Sequence, residues 1–308
     1  MLYLAPLHGL TDVTFRNVYF RHFGGFDRAM APFISITPAD KITSVKVRDL
    51  SPRFNDIQKI VPQLLVNEAE GFLLLSRFLS EQYGYQEINW NLGCPVLNIV
   101  KKQRGSGLLP FPEKIDRFLN KVMSNTTCDI SVKTRLGYWN SSEFIPLAKV
   151  LNQYPLKSVT VHPRIGVQMY EGELLHDDFR ELLPLLDKPV IYNGDFWKPD
   201  DYKKVKQLYP SIQDHMIGRG ALFNPFLPGM IVAGSDQLPD NSMELFVAWY
   251  YDLEQQIRLT RRLWMDKMKE YWKFFYRFFE LDREQLLSLQ KITNENEWNE
   301  RICKIFSL

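Results

Sequence analysis

The feature that most narrows what this chain can fold into is an alternation. Short apolar segments alternate with helical stretches through roughly the first three quarters of the sequence, the pattern of a parallel α/β protein. Strands are expected at residues 2–7, 27–34, 60–66, 87–92, 130–134, 158–162, 190–193 and 215–217. Helices are expected at 68–82, 112–123, 143–153, 177–186 and 199–208, with Pro112, Asp177 and Pro199 as first-turn or capping residues. About eight strands within roughly 220 residues fit a (β/α)8 TIM barrel. The second crossover, residues 35–59, is polar and irregular, and is expected to hold a loop excursion as well as its helix.

The strand ends carry the polar residues. One after another they finish in Gln63, Asn91/Cys94, Lys133/Arg135, His162/Arg164, Asn193/Asp195 and Gly218/Arg219. In a barrel these ends share one rim, where chemistry is placed. After Pro225 the pattern changes. Residues 227–241 read as a linker bearing proline and glycine. Beyond it, 243–263, 264–279, 283–292 and 295–306 read as helices. The expected division is a barrel domain at residues 1–240 and an all-helical domain at 241–308.

Composition excludes several classes. No apolar run approaches the roughly 20 residues of a membrane span. The first residues enter a strand-like segment with no basic leader, so the cytoplasm is the expected compartment. Cys94, Cys128 and Cys303 have no paired spacing, so no metal site or disulfide framework is expected. A net charge of +2 does not by itself imply a nucleic-acid partner.

The motifs, taken in order, are Ala5-Pro6-Leu7-His8-Gly9-Leu10-Thr11-Asp12, Glu87 to Pro95 ending in Asn91-Leu92-Gly93-Cys94-Pro95, and Gly105-Ser106-Gly107-Leu108-Leu109. They continue through Val132-Lys133-Thr134-Arg135-Leu136-Gly137, Val161-His162-Pro163-Arg164, Val190 to Asp195 and Met216 to Leu222. Their order and spacing, over nearly the full length, resemble the tRNA-dihydrouridine synthases, flavoenzymes that reduce particular uridines in tRNA. Two departures are local. The family often has a lysine shortly after Cys-Pro, where this chain has Leu97 and Asn98. The usual His-Gly-Arg-Thr reads His162-Pro163-Arg164-Ile165 here.

The resemblance implies FMN as cofactor, NADPH as reductant, tRNA as partner and no stable protein partner. It implies that Ala5, Pro6, Leu7, Lys133 and His162 hold the flavin, with Lys133 against the pyrimidine edge, and Gln63 could hydrogen-bond the same edge. Asn193-Gly194-Asp195 and Gly218-Arg219-Gly220 follow the last two strands, where glycine loops commonly bind phosphate, with Arg219 as a charged fork. Cys94 fits a proton donor to uracil C5, since a thiol with a pKa near 8.5 stays protonated at neutral pH. Asn91 and Arg135 are candidate substrate contacts. Arg164 is either a flavin or RNA phosphate ligand or a solvated cation. Lys101 and Arg104 sit in a basic, glycine-bearing loop expected to act as a lid on RNA. The cations Arg258, Arg261, Arg262, Lys267, Lys269, Lys273 and Arg277 are the candidate tRNA-backbone face. Two rival readings stand beside this one: an FMN barrel acting on a free pyrimidine or small enone, and a non-catalytic RNA-binding barrel.

Overall fold

In the computed structural model, which describes residues 1–37 and 41–306, the apolar segments pair as parallel strands. They are β1 (Leu2–Leu4), β2 (Arg28–Met30), β3 (Ile60–Val61 and Gln63–Leu64), β4 (Glu87–Leu92), β5 (Asp129–Gly137), β6 (Val159–Ile165), β7 (Val190–Tyr192) and β8 (Asp214–Ile217). Pro62 divides β3 because it has no N–H to give to a ladder. The half before it pairs with β2, and the half after it pairs with β4. The Pro62 carbonyl still accepts from the Asn89 N–H at 2.8 Å. Since β1 pairs with both β2 and β8, the sheet closes on itself as the expected (β/α)8 barrel.

Helices cover the outside: α1 (Val13–His22), α2 (Ala69–Tyr83), α3 (Pro112–Met123), α4 (Phe144–Asn152), α5 (His176–Leu182) and α6 (Pro199–Leu208). Sequence reasoning missed α1. Its buried face is Val13, Phe15, Val18 and Tyr19 with Arg16 among them, and that arginine interrupts the apolar period. Arg16 is fully buried, and its two terminal nitrogens donate to Asp49 at 2.9 Å, Asn55 at 2.9 Å and the Thr11 carbonyl at 2.8 Å. Asp49 and Asn55 belong to the second crossover. The described part of that crossover holds only the short helix Ser44–Val47 and the turn Arg48–Leu50; residues 38–40 lie outside the described residues.

The expected linker is partly a helix. After α7 (Arg219–Phe223) comes α8 (Leu227–Ala233), with Pro228 in its first turn and Gly234 in the left-handed conformation at its end. Proline inside the start and glycine past the end punctuate a helix as well as a loop. The last four helices are α9 (Ser242–Thr260), α10 (Trp264–Phe275), α11 (Arg283–Lys291) and α12 (Glu295–Phe306). They share one apolar core with the barrel's outer layer. Phe15 of α1 stacks on Tyr271 at 5.5 Å and meets Trp249 edge-on at 6.0 Å. Arg261 pairs with Asp12 at 2.7 Å, and the Tyr271 hydroxyl donates to the Leu10 carbonyl at 2.7 Å. Among the described residues no helix is long and apolar enough to cross a membrane.

Candidate active site

Strand β4 carries the site to the rim. Ile88, Trp90 and Leu92 face the helical layer, where Trp90 stacks on Phe118 at 3.8 Å. Glu87, Asn89 and Asn91 alternate with them and face the barrel interior. Beyond the strand, the Asn91 Oδ1 accepts from the backbone N–H of Gly93 at 3.0 Å and of Cys94 at 2.9 Å. Its Nδ2 donates to Gln63 at 2.8 Å. Asn91 lines the cavity, but most of its hydrogen-bonding capacity shapes the turn that carries the thiol.

The basic loop after Cys94 is held down. Ser106 donates to the Cys94 carbonyl through both its N–H and its Oγ, each at 3.0 Å. Gly105 has φ +57°, and a Cβ there would stand 2.5 Å from the same carbonyl. Packing against the Cys94 backbone anchors the glycine end of this loop. Lys101 is exposed, while Arg104 is tied to Asn67 and Ser35, each at 3.0 Å.

The cavity enclosed by the rim measures about 790 Å³. Of the residues singled out from the sequence, it brings together Ala5, Pro6, Leu7, Asn91, Cys94, Lys133, Arg135, His162, Asn193, Gly194, Asp195, Gly218 and Arg219. Gln63, Arg164, Lys101 and Arg104 do not line it. Gln63 is fully buried behind Asn91. Arg164 is not a solvated cation: its side chain is 3% exposed and bonds Asp195 at 2.7 Å and the Gly172 carbonyl at 2.7 Å.

Electrostatics divide the lining into two parts. On one side, burial pushes the Cys94 thiol up, and only the Val96 N–H and the Arg135 and Lys133 charges oppose this. Arg135 is fixed by the carbonyls of Gly93 and Ile165, each at 2.9 Å. Lys133 has no hydrogen-bond or ion-pair partner among the described residues, and burial first, then Arg135, pulls it down to about 7. On the other side, Asp195 joins Arg164 to Arg219, the latter at 2.8 Å. Burial works against its ionisation, but the two guanidinium groups hold its carboxyl below the ordinary range. His162 is pushed well below its ordinary value by burial and then by Arg135, Lys133, Arg164 and Arg219. It is therefore neutral, and its Nε2 accepts from Arg164 at 3.0 Å because a guanidinium only donates.

Sequence reasoning missed part of the wall. Tyr170 lies under both Arg135, at 5.3 Å, and Arg219, at 5.6 Å. Phe33 stacks on His8 at 4.6 Å, and Trp197 packs against Arg219 at 5.1 Å. Phe274 reaches the cavity from α10, in the last quarter of the chain. His8 stood inside a quoted motif. The others carry no local signal, since only the fold brings them to the rim.

The same helices alter the expected cation face. Lys267 is buried over the Tyr271 ring at 4.7 Å, Arg261 is held by Asp12, and Arg258 is paired with Glu254 and Glu295. Arg262, Lys273 and Arg277 remain exposed.

Comparison with known proteins agrees with this geometry. A family model described as dihydrouridine synthase (Dus) matches residues 3–304. The chain is 29% identical over 232 residues to tRNA-dihydrouridine synthase B of Pasteurella multocida, covering 73% of this chain and 67% of that protein. It is 27% identical over 289 residues to tRNA-dihydrouridine(16) synthase of Cupriavidus necator, covering 88% of each. Among solved structures, the old yellow enzyme from Trypanosoma cruzi shares the fold with a TM-score of 0.54 at 11% identity, over 80% of this chain and 91% of that one. A mutant of morphinone reductase in complex with tetrahydroNAD does so with a TM-score of 0.53 at 11% identity, over 80% and 89%. With a match that runs from the first strand to the last helix, the chain belongs to the dihydrouridine synthase family.

Proposed function

We propose that this protein reduces a uridine of tRNA to 5,6-dihydrouridine in the cytoplasm, using FMN held in the rim cavity and NADPH as the reductant. The observation that carries the reading is the pairing, in one cavity, of a protonated thiol at Cys94 with a half-buried amine at Lys133 that has no partner among the described residues.

The lining suits a flavin mononucleotide. The half-buried Lys133 amine, with no partner among the described residues, is open to an acceptor from a ligand in the cavity. Three cations, Lys133, Arg135 and Arg219, face the cavity, with Asp195 the only acidic group in its lining among the described residues. The loops after β7 and β8 approach so closely that a Cβ on Gly220 would stand 1.8 Å from the Phe196 carbonyl, and a Cβ on Gly194 would run into the ring of Tyr192, the last residue of β7. Ala5, Pro6, Leu7, His162, Asn193, Gly194, Asp195, Gly218 and Arg219 would surround the cofactor, with Lys133 at its polar edge. Arg219, oriented by Asp195, would meet the phosphate.

The flavin, when reduced, supplies the hydride that saturates uracil C6. Every other task falls to the chain. Cys94 holds the proton destined for C5, and burial keeps it on sulfur until it is needed. Donation leaves a thiolate, and Arg135 and Lys133 provide the charges that stabilise it. Neutral His162 and Asn193, whose Nδ2 donates to the Met216 carbonyl at 2.9 Å, keep the cavity floor polar without adding charge. The uridine must leave its stack to reach this depth. Arg262, Lys273, Arg277 and Lys101 are exposed cations suited to the RNA backbone.

The test is mass-spectrometric detection of dihydrouridine after the protein, FMN and NADPH are incubated with unmodified tRNA, with Cys94→Ala beside it. A gain of two hydrogens on one uridine, slowed by roughly 10²-fold or more in the variant, is expected. Turnover of free pyrimidines or enones with inert tRNA would instead favour a small-molecule flavin oxidoreductase.

A further inference from the structure

The barrel interior below the cavity is crossed by a polar chain. Glu87, 7% exposed, lies at the start of β4, far from the rim. Its Oε2 accepts from Arg28 at 2.8 Å and lies 3.3 Å from the Lys157 Nζ. Its Oε1 accepts from the Ser131 hydroxyl at 2.9 Å. The Ser131 Oγ in turn accepts from the Asn89 Nδ2 at 3.0 Å, and the Asn89 Oδ1 from the Gln63 Nε2 at 2.8 Å. The Gln63 Oε1 accepts from the Asn91 Nδ2 at 2.8 Å, and the Asn91 Oδ1 receives the backbone N–H groups of Gly93 and Cys94.

The strand register builds this chain. Asn89 lies opposite Ser131 across β4 and β5, and opposite Gln63 across β3 and β4. All five side chains are at most 7% exposed. The direction of every bond is dictated by the ends. A carboxylate only accepts and a backbone N–H only donates, so each amide between them has one permitted orientation. Turning any one of them over would set two acceptors or two donors face to face at about 3 Å, a heavy penalty in a dry interior.

We propose that Glu87 is a positioning residue for Cys94, fixing through Ser131, Asn89, Gln63 and Asn91 the one conformation of the Gly93–Cys94 turn that aims the thiol into the cavity. The inference rests on the proton-donor reading of Cys94 for its functional consequence, and on the interior geometry alone for its structural one. The relay would lend a backbone turn on a loop the rigidity of the barrel wall.

The test reads the thiol directly. Cys94 is alkylated with iodoacetamide in the full-length protein, and its rate is followed by peptide mass spectrometry relative to exposed Cys303. Ser131→Ala removes one oxygen from the middle of the relay, and Glu87→Gln neutralises its end. In folded protein, each should change the Cys94 rate roughly tenfold, the scale of one unmet buried hydrogen bond, and leave Cys303 unchanged. Ser131→Thr, which keeps the hydroxyl, should restore the wild-type rate. With tRNA, kcat should fall by a similar factor at unchanged KM, the mark of a lost orientation rather than lost binding. A lowered urea midpoint with Cys94 alkylation within about twofold of wild type would overturn the proposal, leaving the network a packing device. Should Glu87→Gln not fold, Ser131→Ala decides alone. A wild type that makes no dihydrouridine would refute the function while the alkylation arm still decides the relay.

Discussion

Lys133 should cost the protein stability until a ligand meets it. Burial and Arg135 bring its amine from the ordinary 10.5 down to about 7. At about 1.4 kcal/mol for each pH unit between those values, the flavin-free fold is weakened at pH 7 by on the order of 4 kcal/mol. The sign follows from proton counting. Between about 7 and 10.5 the unfolded chain binds the proton more tightly than the folded one, so stability rises with pH across that window. Below about 7 both states are protonated and the penalty is constant. Lys133→Met keeps the length and removes the charge, so the flavin-free variant should be more stable than wild type at pH 7, with the gap closing towards pH 10. Urea unfolding of the two proteins at pH 7, 8.5 and 10 measures the gap, and taking the difference cancels other titrating groups. The same variant should lose FMN affinity, followed by the fluorescence of the released flavin. A variant no more stable than wild type at pH 7, or a gap that does not vary with pH, would refute the account of Lys133 as an unpaired cation awaiting its ligand.

Three further outcomes follow from the rim. Asp195→Asn leaves Arg164 buried opposite a neutral amide and should cost about 2–4 kcal/mol in urea unfolding, less than a fully buried pair because Arg219 is partly exposed; since the Asp195 carboxyl is held below its ordinary range, its stabilisation is complete above the unfolded value and lost as pH falls through the folded one, so wild type and variant should converge in acid. Gly220→Ala forces a Cβ to within 1.8 Å of the Phe196 carbonyl, and the backbone shift it demands should abolish FMN retention on a desalting column, whereas retained flavin would show that the two loops can part. Tyr271→Phe removes the bond to the Leu10 carbonyl and should cost about 1–2 kcal/mol while weakening flavin binding, because Leu10 lines the cavity; a purely local effect would leave the flavin titration unchanged.

The barrel was legible because its strands are short, apolar and regularly spaced, and the rim was legible because thiol, amine and glycine residues recur at strand ends. What was hidden depends on pairing. Arg16 looks like a surface residue until Asp49 and Asn55 surround it, and so it concealed a helix. Lys267 and Arg261 read as RNA contacts, yet one lies under Asp12 and Tyr271 and the other is spent on Asp12. A sequence shows which residues can carry charge, not which charges are already answered. Polar residues in β4 alternate with apolar ones, but the relay they form exists only because β3 and β5 place Gln63 and Ser131 beside them. Phe274 belongs to the cavity only because α10 docks beside the first strand's loop.

The pairing of β1 with β8 also sets a clock. Leu2 finds its partner only at His215, so the ring cannot close until more than two thirds of the chain exists. At roughly 5–20 residues per second of synthesis, the first strand waits on the order of 10–40 s for that partner. Phe15 waits longer still, since Trp249 and Tyr271 cover it. Through that interval an apolar strand and an aromatic helix face are uncovered on the nascent chain, and the loop at Leu10 has no clamp. The cavity is thus among the last parts of the molecule to be finished, and a truncation near the C-terminus removes a wall of the site along with the helices behind it.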